Sequence, residues 1–89
     1  MYGYVYILQS EVNKRYYIGS TNNLRRRIND HNLGKSTYTK LTRPFKLVFS
    51  QKYDNISEAR RIEYKLKKFK SKKILEKIVE DQIIKIGDD

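Results

Sequence analysis

Gly3-Tyr4-Val5-Tyr6-Ile7-Leu8 and, after a short polar stretch, Tyr16-Tyr17-Ile18-Gly19-Ser20 are the two runs on which the fold turns. Both are dense in β-branched and aromatic residues, the composition of strands. Residues 10–14 (Ser-Glu-Val-Asn-Lys) read as a polar turn, so residues 3–9 and 15–20 are expected to pair as an antiparallel hairpin. Side chains alternate along a strand. Tyr4, Tyr6 and Leu8 therefore oppose Val5 and Ile7, while Tyr17 and Gly19 oppose Tyr16 and Ile18. Both faces are partly apolar, which predicts a sheet covered on more than one side.

Downstream of the hairpin, Thr21, Asn22 or Asn23 can cap a helix running to about Asn32, with Gly34 as its stop signal. Leu24, Ile28 and His31 fall on one side of it, with Arg27 beside them. Residues 35–43 form a polar basic loop, and Pro44 opens a third strand from Phe45 to Tyr53. Ser57 is the expected cap of a second helix over 58–69, whose buried stripe is Ala59, Ile62, Leu66 and Phe69. A third helix over about 72–83 carries Ile74, Leu75, Ile78, Val79 and Ile83 on its apolar side. One domain over residues 1–83 is expected, with 84–89 as a short fraying tail.

Composition narrows the function. The chain has 89 residues, and 20 Lys and Arg against 10 Asp and Glu give a net charge of +10. Such an excess attracts polyanions; DNA is the expected partner, ahead of an anionic membrane surface or a merely solvated basic surface. There is no cysteine, which excludes disulfides, a thiolate zinc site and a thiol nucleophile. No apolar run reaches the ~18 residues of a membrane span, and no secretory leader is evident. A soluble, cytoplasmic protein is expected.

Five residues carry candidate chemistry. Eight tyrosines are present and most must be structural; Tyr6 and Tyr17 stand out by their company. A phenol has a pKa of about 10, so making it a base near pH 7 costs roughly 4 kcal/mol, which nearby cations or a metal can offset. Arg27 can stabilise charge on a phosphate oxygen, or belong with Arg25 and Arg26 to a solvated face. His31, the single histidine, can relay a proton, bind phosphate or sit against the helix dipole. Glu63 has two readings: an i, i+4 partner of Lys67, or a carboxylate holding one divalent ion.

Tyr6, Tyr17-Ile18-Gly19, Arg27, His31 and Glu63 together resemble the GIY-YIG nuclease superfamily over roughly residues 3–78. Gly34-Lys35, Tyr38-Thr39, Arg43-Pro44, Leu47-Val48, Ala59 and Glu63 resemble its small stand-alone branch, the UPF0213 proteins. The first motif here is Tyr4-Val5-Tyr6, with a tyrosine in place of its glycine and Gly3 one residue earlier. The resemblance implies an α+β sandwich, a three-stranded antiparallel sheet flanked by about three helices. It also implies metal-dependent hydrolysis of a DNA phosphodiester, in repair or processing, with selectivity expected to be weak or structure-dependent. By position, Tyr6 and Tyr17 match the two motif tyrosines, Arg27 the phosphate-stabilising arginine and Glu63 the metal-binding glutamate. His31 matches a histidine that some members carry.

The implied reaction uses one Mg²⁺ or Mn²⁺ at Glu63, with Tyr6 preferred over Tyr17 as general base, a choice the sequence leaves open, Tyr17 otherwise positioning water or phosphate, and Arg27 stabilising the pentavalent charge. Lys65, Lys67, Lys68, Lys70, Lys72 and Lys73, with Lys35, Lys40 and Arg43, either track DNA phosphates or form a solvated face. Few aromatic residues outside the strands offer a stacking platform. Better-known relatives attach a DNA-reading domain that these residues do not supply, so a protein partner for specificity is expected. The rival readings are a non-catalytic nucleic-acid-binding module and a scaffold in a repair complex.

Overall fold

The structure, a computed structural model, describes residues 2–35 and 40–84, with Lys40 described in its backbone alone. Strands β1 (Gly3–Ser10) and β2 (Tyr16–Thr21) form the hairpin, and β3 (Phe45–Tyr53) completes an antiparallel sheet in the order β2-β1-β3. Helix α1 (Leu24–Asn32) and a short 3-10 turn (Lys40–Thr42) lie between β2 and β3, and α2 (Ile56–Phe69) and α3 (Lys72–Asp81) follow. This is the expected α+β arrangement. Among the described residues no helix is long and apolar enough to cross a membrane.

The alternation of β1 builds two cores. Val5 and Ile7 pack with Phe49 against Ala59, Ile62 and Leu66 of α2 and Ile78 of α3. Tyr6 and Leu8 pack with Phe45, Tyr17, Leu24 and Ile28 on the side of α1. Burying a large aliphatic side chain stabilises by ~1.5–3 kcal/mol, so both faces contribute. One strand feature escapes simple alternation. Ile7 pairs with Phe49 but Leu8 pairs with Leu47, leaving Val48 as an extra residue in β3. This bulge inverts the facing of β3. Phe45 and Phe49 would otherwise share a face; here they serve opposite cores.

Ser10, wholly buried, fixes the hairpin turn. Its Oγ donates to the Thr42 carbonyl at 2.6 Å and accepts the N–H groups of Val12 at 3.0 Å and Asn13 at 3.2 Å. Helix starts follow their caps. Asn23 Oδ1 accepts the Arg26 N–H at 3.1 Å. Asn55, not Ser57, caps α2 by accepting the Glu58 N–H at 2.8 Å, because Ile56 already packs against the core. Ser71 caps α3, its Oγ accepting the Ile74 N–H at 3.3 Å.

Two stripe residues are exposed instead of buried. Phe69 closes α2 and is 48% exposed, since the left-handed Lys70 turns the chain there. Ile83 lies beyond α3, which ends at Asp81, and is 46% exposed. The next residue, Ile84, is buried in the core, and its N–H donates to Gln51 Oε1 at 2.9 Å. Ile84 thus packs with the domain although the sequence places it first in the tail; residues 85–89 lie outside the described residues.

Candidate active site

A cleft of 680 Å³ opens along β2, taking side chains from both faces of that edge strand and from α1 and α2. The register decides its centre. Tyr6 pairs directly with Gly19, and the end of the Tyr6 ring lies over the glycine. A Cβ on Gly19 would fall 2.9 Å from Tyr6 Cε2 and closer still to the ring tip and hydroxyl. The glycine therefore gives the phenol its place beside the cleft. Gly3 serves a different contact. A Cβ there would meet the Ile56 Cα at 2.6 Å, so the glycine admits the start of α2.

Helix α1 brings two groups to the Tyr6 hydroxyl. Arg27 Nε donates to it at 3.4 Å, and His31 Nε2 lies 3.2 Å away. The end of α1 holds His31 in place. Gly34 has φ 79°, and the N–H groups of Gly34 and Lys35 donate to the carbonyls of His31 at 3.1 Å and Asp30 at 2.9 Å. Asn32 Oδ1 accepts the Phe45 N–H at 2.7 Å, and the His31 ring packs edge-on against Phe45 with centroids 5.8 Å apart.

Burial raises the Tyr6 pKa above its ordinary value, opposed by the hydrogen bond and positive charge of Arg27. Burial also lowers the His31 pKa, assisted by Arg27 and opposed by Asp30. At neutral pH the pair is a protonated phenol beside a neutral imidazole. With the tautomer that leaves Nε2 bare, the phenol donates to His31 while accepting from Arg27.

From the other face, α2 delivers Glu63. Its Oε1 accepts from Ser20 Oγ, and Oε2 pairs with Lys67 Nζ at 2.6 Å. Glu63 is thus both in the cleft and an i, i+4 partner of Lys67. Among the described residues no cluster of three or more acidic, His or Cys side chains could grip an ion. The donor set fits one hard cation, which needs only one or two carboxylates beside water and phosphate oxygens. Lys67 would have to yield Oε2 to it.

Tyr17 lines the same cleft, but its hydroxyl is engaged elsewhere. Hydrogen bonds with Thr42 and Asn13 lower its pKa, and its ring packs edge-on against Phe45 at 5.2 Å. The structure thus brings Tyr6, Arg27 and His31 into one bonded group and sets Glu63 across from it, with Tyr17 at one end. Ser20 is a direct partner of Glu63 that the sequence left without a site role, whereas Lys67 takes the i, i+4 place beside Glu63 that the spacing offers. Alternation alone puts Ser20 on the face of Tyr16 and Ile18, towards α2.

The remaining basic residues divide. Lys67 belongs to the cleft. Lys35 pairs with Asp30 at 3.6 Å. Arg43, Lys68 and Lys70 are exposed and Lys65 is half-buried, while the side chain of Lys40 lies outside the described residues. Lys35 follows α1 and Arg43 precedes β3, whereas Lys65, Lys68 and Lys70 lie on or just beyond α2.

Comparison with known proteins places the chain in a family. The family model described as "GIY-YIG catalytic domain" matches residues 2–77. The UPF0213 protein SH2523 of Staphylococcus haemolyticus is 42% identical over 86% of this chain and 94% of that protein. UPF0213 protein YazA of Bacillus subtilis is 38% identical, covering 79% of this chain and 71% of its own length. The solution NMR structure of UPF0213 protein BH0048 from Bacillus halodurans superposes with a TM-score of 0.57 at 37% identity, covering 90% of this chain and 84% of that one.

Proposed function

We propose, from the premise that the chain belongs to the GIY-YIG family and its UPF0213 branch, that it is a divalent-metal-dependent endonuclease acting on DNA. The single observation that carries this reading is the convergence of Tyr6, Arg27, His31 and Glu63 on one cleft from opposite faces of the β2 edge.

Glu63 would hold the Mg²⁺ or Mn²⁺ with Ser20 beside it. When bound, the ion supplies positive charge to the scissile phosphate and the leaving oxygen. Arg27 lines the cleft and has donors beyond its Nε to place on a phosphate oxygen. Tyr6 takes the proton of the attacking water. Its raised pKa disfavours a preformed phenolate, so the phenol passes its own proton to His31 Nε2 as it accepts the new one. Tyr17, with its hydroxyl held by Thr42 and Asn13, positions the strand at the end of the cleft. Exposed Lys68, Lys70 and Arg43 contribute phosphate contacts, and DNA repair or processing is the setting proposed.

The Lys67–Glu63 ion pair favours the rival reading, a nucleic-acid-binding module without turnover. Cleavage of plasmid or branched DNA by the purified protein with Mg²⁺ or Mn²⁺, compared with Arg27→Ala and Glu63→Gln, separates the two.

A further inference from the structure

A second depression of 390 Å³ continues from the cleft along β2, between that strand and the turn joining α2 to α3. Its size lies within the ~300–1,000 Å³ of ligand clefts. The floor is apolar and includes the half-buried Tyr16 ring and Leu66, while Arg15, Lys67, Lys70 and Lys72 stand around it. Of these four cations only Lys67 has a carboxylate partner among the described residues. The left-handed Lys70 and the Ser71 cap fix the turn that brings Lys70 and Lys72 to this rim. Arg15, Tyr16, Ile18 and Lys67 line both hollows.

We propose that this depression is a nucleotide subsite: it receives one unpaired nucleotide of the bound DNA strand, next to the phosphate in the cleft, with the base on Tyr16 and the backbone on Arg15, Lys70 and Lys72. An apolar floor ringed by cations suits a ligand with a flat apolar body and an anionic edge. Every base has a π-face that can stack on an aromatic ring. In an intact duplex those faces are covered by neighbouring base pairs, so the hollow selects DNA with an unpaired nucleotide beside the cut. The inference rests on the nuclease reading for the place of the scissile phosphate, and it names that reading's substrate class.

Binding without metal tests the site. Fluorescence anisotropy compares a labelled ten-nucleotide thymidine strand with a blunt duplex. The strand should bind more tightly than the duplex, and Tyr16→Leu should weaken the strand alone, by about 5- to 100-fold. Tyr16→Phe should retain its binding. Lys70→Ala with Lys72→Ala should weaken both ligands and make the salt slope shallower, by about 1.4 for the strand and about 1.8 for the duplex. Because Tyr16 also packs against the core, wild-type protein is photocrosslinked to a DNA strand carrying 5-iodo-2′-deoxyuridine and the adduct mapped by mass spectrometry. An adduct at Tyr16 is expected. Preference for the duplex, a folded Tyr16→Leu with unchanged strand binding, or adducts confined to other residues would overturn the proposal. A protein that shows the site and never cleaves DNA loses the nuclease reading and keeps the site. One that cleaves with Tyr16 irrelevant loses only the site.

Discussion

The ring tip of Tyr6 occupies the space that a side chain on Gly19 would need. The motif glycine is therefore a packing partner of the motif tyrosine across the β1–β2 pair. Gly19→Ala should force the phenol away from Arg27 and His31 or part the strands. Overpacking of this kind costs typically ~1–3 kcal/mol, read as a lower denaturant midpoint. Cleavage should fall to the level of Tyr6→Phe, and the double variant should lose nothing more.

Lys67 holds Glu63 Oε2 at 2.6 Å, so under the proposed function it would compete with a metal ion for that oxygen. Lys67→Met should therefore tighten Mn²⁺ binding in the absence of DNA, by about 2- to 5-fold if the ion pair has the strength of an ordinary surface pair. Glu63→Gln should remove that binding. Electron paramagnetic resonance of free Mn²⁺ measures both. Unchanged affinity in Lys67→Met would mean that the lysine does not guard the carboxylate.

His31 gives stability a defined pH dependence. Its folded pKa is lowered below the ordinary 6.5, first by burial and then by Arg27, with Asp30 opposing. The unfolded chain therefore binds the proton more readily. The neutral imidazole's contribution is fully present above about pH 6.5 and is lost as pH falls from there through the folded pKa. The melting temperature should drop across that window, and His31→Gln should flatten the drop. Melts from pH 7.5 to 5 check this.

Asn55 carries α2, and hence Glu63, through a single side-chain cap. Asn55→Ala should cost about 1 kcal/mol, whereas Ser57→Ala should be close to neutral. Paired urea titrations distinguish the two residues.

The hairpin, its two apolar faces and all three helices were legible because periodicity in Val5, Ile7, Ala59, Ile62 and Ile78 marks which face is buried. The bulge at Val48 was not, since one extra residue leaves no signature in a strand of alternating type. Nor was the contact of Tyr6 with Gly19, which depends on the pairing register of β1 and β2. Glu63 could be tied to the tyrosines only by family resemblance, because nothing local to α2 says that it meets Ser20. The half-buried Tyr16 acquires a hollow beside it only when the α2–α3 turn folds back towards β2, so the stacking platform proposed there depends on tertiary structure.

The decisive measurement is metal-dependent cleavage of DNA by the purified protein and three variants, Tyr6→Phe, Arg27→Ala and Glu63→Gln, at equal concentration. Nicked or cut product is expected with Mg²⁺ or Mn²⁺ and none with EDTA. Each variant should lose at least about 100-fold, the scale of removing one acid–base or charge-stabilising group. Wild-type rates in Arg27→Ala and Glu63→Gln, or equal cleavage with and without metal, would contradict this mechanism.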